Sequence, residues 1–126
     1  MLPEHERLRK KTDFNKVFKL KCSVSTPLLV AYIAIKKETN NNTLPRIGFV
    51  VGKKIHKKAT KRNKVKRRLR EAYRSLRDKK PHLVISFKDI IFIARPPILE
   101  QDYFEIEKSV DKCLKKAQKY IDNNDA

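Results

Sequence analysis

Residues 46–70 read RIGFVVGKKIHKKATKRNKVKRRLR. The first seven, Arg46 to Gly52, place Ile47, Phe49 and Val51 alternately on one face, the pattern of a half-buried strand. From Lys53 to Arg70 there are eleven Lys and Arg residues and no carboxylate. At about 100° per residue, Val65, Leu69, Ala72, Tyr73 and Leu76 fall in one narrow apolar stripe. Asn63, Lys66, Arg67, Arg70 and Arg74 gather on a different face, with Arg62 at its edge. The spacing predicts a helix from about Ala59 to Arg77 with a buried seam and a cationic wall.

The flanking sequence supplies the other elements. Leu28 to Ile35 (LLVAYIAI) is too short and too β-rich for a helix and predicts a strand. An Asn-rich turn, residues 39–43, separates it from the strand at Arg46, and a reversal there predicts an antiparallel pair. Asp89 to Ala94 (DIIFIA) is a further strand, stopped by Pro96-Pro97. Thr12-Asp13 can start a helix with Phe14, Val17 and Phe18 at helical spacing. A last helix, about Asp102 to Ile121, carries Ile106, Val110, Cys113, Leu114, Ala117 and Ile121 as its apolar stripe. Lys79 to Lys88 is compatible with a short strand, a helical turn or a packed loop. These elements predict an α/β (α+β) sandwich: one small central sheet of about four strands with three helices, in the order α-β-β-β-α-β-α. A single domain is expected over residues 1–126, with its folded core at about 7–121 and a polar tail at 122–126.

The totals restrict function. The 126 residues carry a formal net charge of +18, with pI near 10.1, in the range of nucleic-acid-binding domains. A hydrophobic content of 40% is too high for a disordered basic tail. Repulsion within Lys53–Arg70 opposes folding, and a dense polyanion makes such a run favourable. Lys57, Lys58, Lys61 and Arg62 stand where the helix dipole is already positive, an arrangement that bound phosphate would correct. Cys22 and Cys113 lack metal-type spacing and are read as small hydrophobes of a reducing compartment. No stretch has the length of a signal peptide core or a membrane span, so the expectation is a cytoplasmic protein without a membrane partner. His5, His56 and His82 share no helical or strand relationship. The carboxylates Glu100, Asp102, Glu105, Glu107 and Asp111 belong to a loop and a helix's outer face. Neither catalytic groups nor a protein metal site are expected on the chain.

Arg62-Asn63-x-x-Lys66-Arg67-x-x-Arg70-Glu71, placed after a strand reading IGFVVGKK, resembles the signature of the bacterial ribonuclease P protein component. Leu8…Asp13-Phe14-x-x-Val17-Phe18 resembles that family's first helix. Ile91 to Pro96 resembles its last strand, and Tyr103 to Ala117 its last helix. Lys79 to Phe87 departs from the pattern. The resemblance implies that the catalytic subunit is an RNA bound through Arg62, Asn63, Lys66, Arg67 and Arg70. To these the charge run adds Lys53, Lys54, Lys57, Lys58 and Lys61, and the helix wall adds Arg74. It further implies that the 5′ leader of precursor tRNA lies in a cleft containing Phe14, Phe18 and Tyr32, with Mg²⁺ held mainly by RNA and substrate and no small-molecule substrate. A left-handed crossover through the basic helix is implied in the same way, against the usual right-handed rule.

Read from periodicity alone, Phe14 and Phe18 form a core stripe; as stacking surfaces they would hold single-stranded RNA. Tyr32 and Val30 alternate away from Leu29, Ala31, Ile33 and Ile35, so one strand face can be core and the other cleft floor. Two rivals share the charge. A general or ribosome-associated RNA-binding protein predicts no dependence on a 5′ leader. A duplex-DNA reader predicts a base-sequence preference, whereas so many Lys and Arg without Gln or Ser at reading positions point to phosphate contact.

Overall fold

A computed structural model describes residues 2–36 and 43–124. Residues 37–42, which include most of the expected Asn-rich turn at 39–43, and the final residues 125–126 lie outside them. The helices are α1 (Lys11–Lys19), α2 (Ala59–Lys79) and α3 (Tyr103–Asn124). The strands are β1 (Ser23–Ser25), β2 (Leu29–Ile35), β3 (Arg46–Val50) and β4 (Phe87–Ala94), making one four-stranded sheet in the order β1-β2-β4-β3. The expected α-β-β-β-α-β-α order is observed, and the sheet is mixed. β1 and β4 run antiparallel to β2, whereas β3 and β4 are parallel neighbours joined through α2.

The expected antiparallel pairing of the strands on either side of the Asn-rich turn does not form, because β4 lies between them. Ile90, Ile91 and Phe92 in β4 are all buried, so this strand hides both faces and takes the interior position. β2, whose burial alternates from Leu29 to Ile33, and the shorter β3 flank it. A bulge between Ala34 and Ile35 shifts the register, and Ile35, expected with the core face, is exposed.

One sheet face packs against α2 and α3. Leu29, Ala31 and Ile33 of β2, Ile47 of β3 and Ile90 and Phe92 of β4 join the α2 stripe Val65, Leu69, Ala72, Tyr73 and Leu76 in one cluster. Ile106, Val110, Cys113, Leu114, Ala117 and Ile121 of α3 complete it. Both apolar stripes are those expected from helical spacing. The opposite face carries a smaller cluster of Leu8, Val17, Ala34 and Ile91 beneath α1.

Several boundaries differ from expectation. Leu2, ahead of the expected core boundary, is buried, and α3 continues past Ile121. Residues 80–86, open in the sequence, form a turn at Pro81–Leu83 that buries Leu83 and Val84, and β4 begins at Phe87. α1 begins at Lys11 without a side-chain cap. It stops at Leu20, with Lys21 in the left-handed region at φ 55. Both cysteines are free, Cys113 buried and Cys22 half-buried.

Candidate nucleic-acid interface

The buried seam of α2 fixes which residues face outward. With Val65, Leu69, Ala72, Tyr73 and Leu76 against the sheet, Lys61, Asn63, Lys64 and Arg67 are exposed and Lys66 and Arg70 half-exposed. Among the described residues, no carboxylate pairs with any cation between Lys53 and Arg70; every ion pair lies elsewhere. Three of the outward cations have protein partners. Arg62 Nη1 donates to His56 O at 3.0 Å and Lys57 O at 2.9 Å, folding back to brace the loop before the helix. Arg74 pairs with Glu71 at 3.3 Å. Arg68, on the flank toward α3, donates to Gln101 O at 3.3 Å.

The start of α2 has neither a side-chain cap nor an acidic residue in its first turn. The Lys58 amide is satisfied by His56 Nδ1 at 3.0 Å, while Lys57, Lys58 and Lys61 remain exposed around the positive end of the dipole. Lys53 and Lys54 are exposed in the preceding loop, which Ile55 anchors. The expected cationic residues thus form one continuous surface from the loop onto the helix.

On the opposite sheet face, Phe18 meets Tyr32 edge-on, with ring centroids 5.0 Å apart and planes at 86°. Phe14 and Phe18 lie 6.4 Å apart, tilted at 43°. All three rings are half-buried, so each packs on the core and keeps part of its surface open. Gly48 makes room for the Phe14 ring: an added Cβ would stand 2.5 Å from Cζ and 2.7 Å from Cε1. Strand register defines the floor. Ser23, Tyr32, Ile91 and Gly48 form one cross-sheet row, and Ser25, Val30, Ile93 and Val50 the next. Val30, Ile93 and Val50 are half-buried, an apolar floor beside α1 with hydroxyls at its β1 edge. At its other edge, Val50 precedes Gly52, Lys53 and Lys54, so the floor runs into the basic loop.

The ribonuclease P family model matches residues 2–118. This chain belongs to that family. The ribonuclease P protein component of Alkaliphilus oremlandii is 41% identical over 110 residues, covering 87% of this chain and 89% of that protein. The Staphylococcus aureus RNase P protein structure superposes with a TM-score of 0.71 at 33% identity, covering 89% of this chain and 94% of that one. The Thermotoga maritima RNase P protein gives 0.71 at 29% identity, covering 88% and 96%. The α+β fold of this ribonuclease P family member, a mixed four-stranded sheet with three helices, matches those structures.

Two anchors of the ribonuclease P fold here were not found from sequence. Asp13 does not cap α1. It accepts from Arg46 Nη1 at 3.2 Å, while Asp89 accepts from Arg46 Nε at 2.9 Å and Nη2 at 3.2 Å. Arg46 thereby ties α1 to β3 and β4, and hydrogen bonding to Asp89 raises its already high pKa. The Asp-Phe dipeptide of α1 therefore holds the helix through Asp13 and meets Gly48 through Phe14. The second anchor is Glu6, buried and bound by Arg77 Nη1 at 2.7 and 2.8 Å. It fixes the N-terminal segment to α2. The pairings span 33 to 71 residues of sequence, and no local periodicity signals them. Among the described residues, no three His, Cys, Asp or Glu side chains come together in a way that could hold a metal ion, and no helix is long and apolar enough to cross a membrane.

Proposed function

We propose that this chain is the protein subunit of an RNA-based ribonuclease P, a cytoplasmic ribonucleoprotein that removes the 5′ leader of precursor tRNA. The observation that carries the reading is the cationic surface from Lys53 to Arg70, without a carboxylate partner among the described residues, set beside the aromatic rings of the opposite sheet face. The exposed cations of α2 and its preceding loop bind the catalytic RNA through phosphates. Each phosphate neutralised releases counterions, so binding is strongly salt-dependent. Arg62 contributes from a braced position and Arg74 from a weak exposed pair that RNA can displace.

The cleft takes the single-stranded leader. Phe14, Phe18 and Tyr32 offer ring surface, and the Val30–Ile93–Val50 row an apolar floor. Base stacking is tolerant of sequence, which suits a subunit that meets many leaders. In this reading Mg²⁺ is held mainly by the RNA and substrate, and the hydrolytic groups lie on the RNA. The protein binds, orients and neutralises. Half-open aromatic rings beside basic surface also occur in general RNA-binding proteins; what favours the subunit role over that rival is the ribonuclease P family match over residues 2–118.

The test mixes the protein with a bacterial ribonuclease P RNA and precursor tRNA at low Mg²⁺ and moderate salt, and follows leader release. Cleavage that requires the RNA and is stimulated by the protein is the expected result. Folded protein that gives no stimulation rejects the subunit role, and cleavage without RNA rejects the assignment of chemistry to the RNA.

A further inference from the structure

The N-terminal segment brings additional cations to the edge of the basic helix. Arg7 and Arg9 of the segment, with Lys66 and Arg70 of α2, line one cavity of about 200 Å³ floored by Ile47 and Phe49. No carboxylate lines it. Like charges drawn round a small cavity repel one another unless an anion sits among them. The volume falls below the roughly 300–1,000 Å³ of ordinary small-molecule sites, so the cavity suits a single oxyanion group.

Its N-terminal wall is preorganised. Arg7 makes a parallel bridge with Ile47, and the Leu8 amide donates to Ile47 O at 2.9 Å. Leu2 and Leu8 are buried, and Glu6 is held by Arg77. Arg7 Nε donates to Leu2 O at 2.7 Å, which sets the guanidinium and leaves its terminal N–H groups available. The only partner of Arg9 among the described residues is Glu4, at 3.1 Å in an exposed pair of the kind that contributes little.

We infer that this cavity binds a backbone phosphate of the catalytic RNA, carrying the cationic face of α2 onto the N-terminal segment. The inference rests on the proposed RNA-binding role of α2. The catalytic RNA is favoured over the leader because of how the segment alternates. Leu8 also borders the cavity but buries its side chain in the cluster under Phe14 on the cleft side, while its neighbours Arg7 and Arg9 line the cavity with Lys66 and Arg70. An extended segment between the two surfaces thus gives its apolar side chain to one and its cations to the other.

The experiment uses the full chain. Binding to the catalytic RNA is measured across a salt series for wild type, Arg7→Ala/Arg9→Ala, Arg9→Ala and Arg67→Ala. The affinity of the reconstituted enzyme for precursor tRNA is measured with and without a leader. The double variant is expected to bind the RNA about 10-fold more weakly, with a salt slope shallower by about 1 and leader discrimination unchanged. Arg9→Ala removes one exposed side chain and should fold normally, so a loss of about 3-fold there is the check if the double variant is destabilised. Loss for Arg67→Ala with none for either N-terminal variant overturns this inference and spares the role of α2; no loss in any variant overturns both. Loss confined to leader-bearing substrate also overturns it, giving the cavity to the substrate. With inorganic phosphate at constant ionic strength, the side-chain N–H resonances of Arg7 and Arg70 should shift together; resonances that stay put reject the site.

Discussion

Gly48 is where a single hydrogen atom decides the shape of the cleft. It stands beside Ile91 in the sheet, and the Phe14 ring occupies the space a side chain would take. Gly48→Ala must push that ring outward, since real Cβ atoms do not approach to 2.5 Å. The expected cost is about 1–3 kcal/mol of stability, typical of overpacking, with weaker binding of leader-bearing substrate and unchanged affinity for the catalytic RNA. Gly52→Ala is the control. Nothing lies within 4 Å of its added Cβ and its φ is not positive, so it should be neutral or stabilising by up to about 1 kcal/mol. Denaturant melts of the two variants, with leader affinities, check the contrast; a Gly48→Ala protein matching wild type in both would detach Phe14 from the cleft. Phe18→Ala separates core from contact at the neighbouring ring. It should weaken leader-dependent affinity by about 1–3 kcal/mol, the range for a lost base-stacking surface. A loss of folding stability with leader affinity intact would return Phe18 wholly to the core.

At the scale of elements, what was legible in the sequence followed from local periodicity. The α2 stripe was readable because Val65, Leu69, Ala72, Tyr73 and Leu76 repeat at helical spacing, and the α3 stripe for the same reason. Strand neighbours are not a local property. β2 and β3 are adjacent in sequence, yet β4 enters between them from beyond a helix, and only its apolar residues on both faces hinted at a central place. The rings of Phe14, Phe18 and Tyr32 were each legible in the sequence and prove to pack together, whereas Arg46, Glu6 and Arg77 gave no signal because their partners are distant in sequence. Cys113 shows what an α3 stripe position implies for stability. Burial pushes its thiol up from 9.0 to about 11, partly offset by a hydrogen bond from Thr26. The folded state therefore holds the proton more tightly than the unfolded chain. Its contribution is complete below about pH 9 and lost as pH rises toward 11, a change of about 2–3 kcal/mol at 1.36 kcal/mol per pKa unit. Melts of wild type and Cys113→Ala at pH 7 and pH 11 should show the stability gap shrinking or reversing at the higher pH. A gap of equal size at both would exclude the thiol as the source.

For the whole molecule, the +18 charge is unevenly compensated. The ion pairs of the described residues brace the N-terminus, α1, α3 and the C-terminal half of α2, and none relieves the stretch from Lys53 to Arg70. Folding brings those cations onto one surface, whereas unfolding spreads them apart, so an anion that recognises the surface binds the folded state alone. Sulfate should then stabilise the isolated protein by about 2.7 kcal/mol at a hundredfold its Kd, a rise in Tm of several degrees over chloride at matched ionic strength. General screening would relieve repulsion anywhere on the surface, and two matched variants distinguish it from site binding. Lys57→Gln/Lys58→Gln removes two charges at the uncapped start of α2; Lys112→Gln/Lys119→Gln removes two exposed charges from α3. If the backbone N–H groups and lysines at the start of α2 hold the anion together, the first pair should lose most of the sulfate-specific rise and the second should keep it. Equal losses from both would make net charge sufficient and leave the helix start without a role of its own. No sulfate-specific rise even in wild type would mean that the cationic surface requires the extended geometry of RNA before it retains a phosphate.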